Sequence, residues 1–171
     1  MILVSIGANL PGPDGAPPLE TCRRAVAALD ALHGLRLRGL SRWYGTAPVL
    51  AAGQSVAGQP PYVNAVAHLA AENGAAMDPA ELLARLMAIE TAAGRVRGAR
   101  YAARVLDLDI VAIGDLVRAA PDPILPHPRA HERAFVLVPL SEVAPGWVHP
   151  MLGRTVEALL AGLPDQGVRA L

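Results

Sequence analysis

Four arginines, Arg95, Arg97, Arg100 and Arg104, run directly into two aspartates set two residues apart, Asp107 and Asp109. If residues 106–113 form a strand, side chains alternate between its faces. The two carboxylates then share one face, while Leu106, Leu108 and Ile110 share the other. The aspartates stand roughly 6–7 Å apart at Cα. Paired carboxylate oxygens at that spacing suit magnesium, which takes one or two carboxylates together with waters and the oxygens of a substrate phosphate. Arginine supplies the complementary half, because its planar fork grips phosphate oxygens bidentately and stays charged at any working pH. No acid between residues 95 and 104 neutralises the guanidiniums. A bare Asp-x-Asp is more often the solvated face of an ordinary strand; the adjoining arginines make this one a candidate metal and polyphosphate site.

Composition narrows the chemistry. All 15 basic residues are arginine, so a P-loop lysine, a Schiff base and a lysine general base are excluded. The 15 acidic residues bring the net charge to zero, which leaves no global footprint for nucleic acid or an anionic membrane, and neither is expected as a partner. The lone cysteine, Cys22, rules out an internal disulfide, fits a reducing compartment and is expected as a small core residue. Residues 1–6 are apolar without a basic leader or cleavage site, and no apolar run reaches spanning length, so a soluble cytoplasmic protein is expected. A length of 171 residues suits a single domain, 1–171.

Holding the aspartates and arginines in place requires a scaffold, and its parts are readable. Residues 2–6 read as a buried strand ending in the loop 7–12. Cys22, Val26, Leu29 and Leu32 recur at helical spacing over 19–32. Residues 36–44 read as a second strand interrupted by Gly39, and 62–69 as a third. Between them 45–61 is too long and aperiodic for an ordinary connection, as lids and binding loops often are. Asp78-Pro79-Ala80-Glu81 is a strong helix start, with Asp78 capping and Glu81 able to close a capping box. Leu82, Leu83, Leu86 and Ile89 form the stripe of that helix, and Gly94 is its expected stop. The order strand, helix, strand, strand, helix, strand is that of an α+β, ferredoxin-like split βαβ (βαββαβ) fold. A C-terminal extension follows, with a proline-rich connection at 120–128, a helical turn near Ala130, an apolar run at 135–138 and a helix expected at 155–160.

Read in order, these segments resemble the 6-hydroxymethyl-7,8-dihydropterin pyrophosphokinase family. The likeness runs through Ile6-Gly7-Ala8-Asn9-Leu10, Tyr62-Val63-Asn64-Ala65-Val66, Gly94-Arg95-Val96-Arg97 and Arg104-Val105-Leu106-Asp107-Leu108-Asp109. It continues through Leu125-Pro126-His127-Pro128-Arg129 and His131-Glu132-Arg133-Ala134-Phe135-Val136-Leu137. Each alone is weak; together, in this order, they are specific.

The resemblance implies transfer of a pyrophosphoryl group from ATP, as co-substrate, to the hydroxymethyl oxygen of the pterin, giving AMP. It implies that Asp107 and Asp109 hold two Mg2+ ions and that Arg95 and Arg104 support transfer, with Arg97 and Arg100 on the same loop. Glu90, Ile110, His127 and Arg133 match nucleotide-side positions. Tyr62 and Phe135 match a pair that sandwiches the pterin, Asn64 the residue that reads its edge, and Thr46 and Val49 the slot lining. Apart from the resemblance, an amide such as Asn64 within an apolar strand needs a partner, since burying it unpaired costs about 1–3 kcal/mol. Tyr101, Ala102-Ala103, Asp122 and Ile124 depart from the commonest pattern. Small-molecule substrates and a monomer are expected. Residues alone leave open another two-metal phosphoryl or nucleotidyl transferase, or a catalytically silent ligand-binding module of the same fold.

Overall fold

In the computed structural model, which describes residues 1–48, 59–74, 76–96 and 103–171, the first apolar run is a strand buried on both faces. This strand, β1 (Ile2–Ala8), sends Ile2, Val4 and Ile6 into one core and Leu3 into a second. Burial on both faces is why it reads as a continuous apolar run rather than an alternation. A helix α1 (Pro18–Asp30) follows, with Cys22, Ala25 and Leu29 buried. Then come β2 (Leu35–Leu40), β3 (Tyr44–Thr46) and β4 (Tyr62–Ala71). Helix α2 (Pro79–Ala92) leads to β5 (Asp107–Ile113).

Strand β1 lies between β4 and β5, antiparallel to both, and β4 pairs on its other side with β2 and β3. With β2 and β3 sharing one position, the order is that of the ferredoxin-like split βαβ plan. Helices α1 and α2 cover one face, where Leu82 and Leu86 are fully buried against Ile6, Leu106 and Leu108. Each such leucine stabilises the fold by about 1.5–3 kcal/mol. Asp78 caps α2 as its sequence predicts, accepting from the backbone N–H of Ala80 (2.7 Å) and Glu81 (3.0 Å).

The C-terminal extension covers the opposite face. Helix α3 (Ala134–Val143) and the shorter α4 (Val156–Ala161) bury Leu137, Leu140, Val156 and Leu159 against Leu3, Val66 and Val111. The apolar run at 135–138 is therefore the start of a helix. A two-residue strand, β6 (Arg169–Ala170), adds to β3.

One expectation is corrected. The strand read over 36–44 is two strands, because the chain leaves the ladder at residues 41–43. Ser41 stays bonded to β4, its N–H donating to Val66 O (3.0 Å) and its hydroxyl accepting from Val66 N–H (3.0 Å). Arg42 turns outward to Glu142 on α3, a partner 100 residues away that no local pattern can reveal.

Candidate active site

Strand register brings the chemistry to one end of the sheet. Asp107 on β5 pairs with Gly7 on β1, Gly7 pairs with Asn64 on β4, and Asn64 pairs with Tyr44 on β3. At 4.7–4.9 Å per strand, Asp107 and Asn64 stand about 10 Å apart with only a glycine between them. A side chain at Gly7 would fill that gap, since an added Cβ would lie 3.4 Å from Asn64 Oδ1 and 3.9 Å from the Tyr62 ring. The result is a cavity of about 260 Å3, floored by Ser5 and Gly7 and walled by Thr46, Tyr62, Asn64 and Phe135 on one side. Asp107, Asp109, Arg104, His127, Arg129 and Arg133 form the other. Asn64 is nearly fully buried, and its amide donates to Thr46 Oγ1 (2.8 Å).

The carboxylates alternate on β5 as their spacing predicts, with Leu108 and Ile110 turned into the core beneath α1 and α2. Asp107 accepts from both arginines, Oδ1 from Arg95 at 2.8 Å and Oδ2 from Arg104 at 2.5 Å. Arg95 also pairs with Glu90, a buried carboxylate that accepts the backbone N–H of Leu108 at 2.7 Å. Burial pushes the Glu90 carboxyl up, against the opposing pull of that N–H and of Arg95. Asp109 is pushed up to about 6, by burial and then by the neighbouring charge of Asp107, although Arg133, Arg104 and Arg95 pull it down. Its side chain remains 40% exposed toward the cavity mouth. His127 is pushed down to about 4 by burial and by the charges of Arg133 and Arg129. The imidazole is therefore neutral at physiological pH. Its Nδ1 accepts from Arg129 N–H at 3.2 Å, which leaves the proton on Nε2, 3.9 Å from Asp109 Oδ2.

These contacts give the guanidiniums counter-charges that their own segment lacks. No acid is near in sequence, but the fold supplies Glu90 from α2 and Asp107 from β5. Of the predicted site residues, Arg95, Arg104, Asp107, Asp109, His127, Arg133, Thr46, Tyr62, Asn64 and Phe135 meet in or beside the cavity. Glu90 reaches it through Arg95. Ile110 does not line the cavity, because its side chain lies in the core on the opposite face of β5. Val49, Arg97 and Arg100 lie outside the described residues.

The sequence reading missed two residues that shape the site. Gly7 opens the floor. Asn9, almost fully buried, accepts Arg104 N–H with Oδ1 (2.7 Å) and donates from Nδ2 to Pro60 O (3.1 Å), while the Arg104 carbonyl accepts the N–H groups of Asn9 and Leu10. One amide thus ties the ends of both long connections to β1. A polar residue directly after a buried strand was the available signal.

The family model for 7,8-dihydro-6-hydroxymethylpterin-pyrophosphokinase matches residues 3–145. A Synechocystis protein named 2-amino-4-hydroxy-6-hydroxymethyldihydropteridine pyrophosphokinase is 35% identical over 158 residues, covering 92% of this chain and 73% of its own. A Pseudomonas aeruginosa protein of the same name is 37% identical over 170 residues, covering 99% and 96%. Among solved structures, wild-type Plasmodium falciparum HPPK-DHPS superposes with a TM-score of 0.66 at 12% identity, over 94% of this chain and 44% of that one. The chain thus spans less than half the length of that structural relative, and at this identity the likeness speaks for the fold.

Proposed function

The chain belongs to the 7,8-dihydro-6-hydroxymethylpterin-pyrophosphokinase family, and from that membership we propose that residues 1–171 act as one catalytic domain and a monomer. The reaction is transfer of pyrophosphate from ATP to the hydroxymethyl group of 6-hydroxymethyl-7,8-dihydropterin, a step of folate biosynthesis that releases AMP. The observation that carries this reading is the juxtaposition, across Gly7, of a slot built from an amide and aromatic rings with a carboxylate pair whose Asp107 is gripped by Arg95 and Arg104.

The pterin ring lies over Gly7 between Tyr62 and Phe135, where offset stacking adds about 0.5–1.5 kcal/mol beyond area burial. Asn64 reads the edge of the ring, with Thr46 fixing the orientation of its amide. The hydroxymethyl arm points across the glycine gap to Asp107 and Asp109.

The donor set fits magnesium. Two carboxylates share one strand face, and among the described residues that line the cavity no sulfur or second histidine competes. Asp107 and Asp109 would hold two Mg2+ ions, which would supply charge neutralisation at the phosphates and a lowered pKa for the attacking hydroxyl. The nucleophile attacks the β-phosphorus, so charge accumulates on its oxygens and on the departing AMP. Arg95 and Arg104, both paired with Asp107, present guanidinium forks whose geometry also fits triphosphate oxygens. Glu90 holds Arg95 at the rim, and neutral His127 donates from Nε2 without adding charge beside the nucleotide. Arg133 faces the triphosphate, and the resemblance assigns Arg97 and Arg100, outside the described residues, to the nucleotide as well.

The test is turnover of the dihydropterin with ATP and Mg2+. Asp107→Asn and Asp109→Asn are each expected to cut kcat by about 100-fold or more, the scale of lost transition-state electrostatics. Full activity in both variants would leave the carboxylate pair without a role.

A further inference from the structure

Residues 146–171 lie beyond the stretch that the family model matches, yet they brace two walls of the cavity. Gln166, in the segment after α4, donates from Nε2 to Glu132 O at 3.0 Å and accepts the N–H of Ala134 with Oε1 at 2.9 Å. Its amide therefore bridges the backbone on either side of Arg133. Ala134 opens α3, where the leading N–H groups have no acceptor within the helix, and the residue before it supplies no side-chain cap. Gln166 serves as that cap from a distant part of the chain.

The residues so held are those of the wall. Arg133 and Phe135 both line the cavity, with the Arg133 guanidinium 5.5 Å from the Phe135 ring centroid. On the Thr46 side, β6 pairs Ala170 with Tyr44 and Arg169 with Gly45, and Leu171 N–H donates to Trp43 O at 3.0 Å. That pairing steadies the strand that ends in Thr46. Half-buried Gln166 is not among the cavity-lining residues, so any influence on substrate passes through the backbone it grips.

We infer that Gln166 is a positioning residue: by bridging Glu132 and Ala134, its side-chain amide fixes the aromatic wall that receives the pterin. The inference rests on the catalytic reading above. Without the bridge the first turn of α3 loses a cap, and Phe135 settles out of register with Tyr62. A displacement on the order of 1 Å in a positioning element is enough to change substrate handling severalfold.

The experiment compares the wild type with Gln166→Leu, which keeps the bulk and removes both bonds, and Gln166→Glu, which keeps the acceptor for Ala134. Michaelis parameters for the pterin are read at saturating ATP, with the fold checked by circular dichroism. Gln166→Leu is expected to raise the pterin KM by about fivefold or more with kcat within about twofold, and Gln166→Glu to raise it by about twofold. A folded Gln166→Leu protein with wild-type KM overturns the inference, whatever its melting temperature, because a purely structural role would lower Tm alone. If Gln166→Leu does not fold, Gln166→Glu decides: a raised KM supports the role and an unchanged one overturns it. No turnover in the wild type would sink the catalytic reading and this inference with it. Wild-type turnover with unchanged KM in the variants would sink this inference alone.

Discussion

Removing the Glu142 carboxylate is expected to weaken the fold where β2 breaks from β3. Oε1 accepts the Tyr44 hydroxyl at 2.6 Å, Oε2 accepts Arg42 N–H at 2.9 Å, and the Arg42 guanidinium closes the ion pair at 2.6 Å. The arginine is exposed, so the ion pair itself contributes at most about 1 kcal/mol. Tyr44 is different, being only 5% exposed. Glu142→Ala leaves its part-buried hydroxyl without this acceptor, at a cost of about 1–3 kcal/mol. Tyr44→Phe removes the donor along with the bond, and is expected to cost about 1 kcal/mol. The double variant leaves no orphan, so the two losses should fall short of additivity by about 1 kcal/mol. Urea unfolding of the four proteins gives this cycle directly. The pH dependence adds a second reading. Burial works against ionisation, but the bonds from Tyr44 and Arg42 hold the Glu142 carboxyl below its ordinary value of 4.5. Its contribution to stability is therefore full above that value and lost as pH falls through the lowered one. Additive losses in the cycle would refute the claim that Tyr44 depends on Glu142.

Metal affinity should follow the ionisation of Asp109. Its carboxyl, pushed up to about 6, is protonated below that pH, so Mn2+ binding without nucleotide should strengthen about tenfold from pH 5 to pH 7 and then level off; a flat profile by electron paramagnetic resonance contradicts this. Gly94→Ala should cost about 2 kcal/mol or more in urea unfolding, because Gly94 has φ +91° and its new Cβ meets the Pro13 ring. Arg95 follows directly, so activity should fall too; an unchanged midpoint contradicts the packing. Finally, His131 Nδ1, Trp147 Nε1 and His149 Nε2 are buried without partners among the described residues. His149 Nδ1 accepts from Met151 and Leu152 N–H, which puts the proton on Nε2, and the His131 and His149 rings stand 5.4 Å apart. A crystal structure at high resolution is expected to show one water accepting from Trp147 and His149 and donating to His131; direct bonds among the three side chains would contradict it.

The carboxylate pair and its scaffold were legible because each rests on local rules. Alternation placed Asp107 and Asp109 on one face of β5, and the Asp78-Pro79 cap fixed the start of α2 to the residue. What stayed hidden depends on partners far along the chain. The break after β2 needs Glu142, the counter-charges of Arg95 need α2 and β5 side by side, and β6 exists because β3 offers it an edge. Ile110 is a separate case. Resemblance named the position, while alternation already assigned its side chain to the core with Leu106 and Leu108. Gly7 carried no signal as a lone glycine, and only the register across β1 shows that its missing side chain opens the floor of the cavity.

The central claim is attack on the β-phosphorus at a site shared by Asp107, Asp109 and the arginines. ATP labelled at the β-phosphate, incubated with the protein, Mg2+ and 6-hydroxymethyl-7,8-dihydropterin, tests it most directly. The label is expected to leave with the pterin, with unlabelled AMP appearing in equal amount. Label retained in ADP, alongside a pterin monophosphate, would mean attack on the γ-phosphorus and would contradict it.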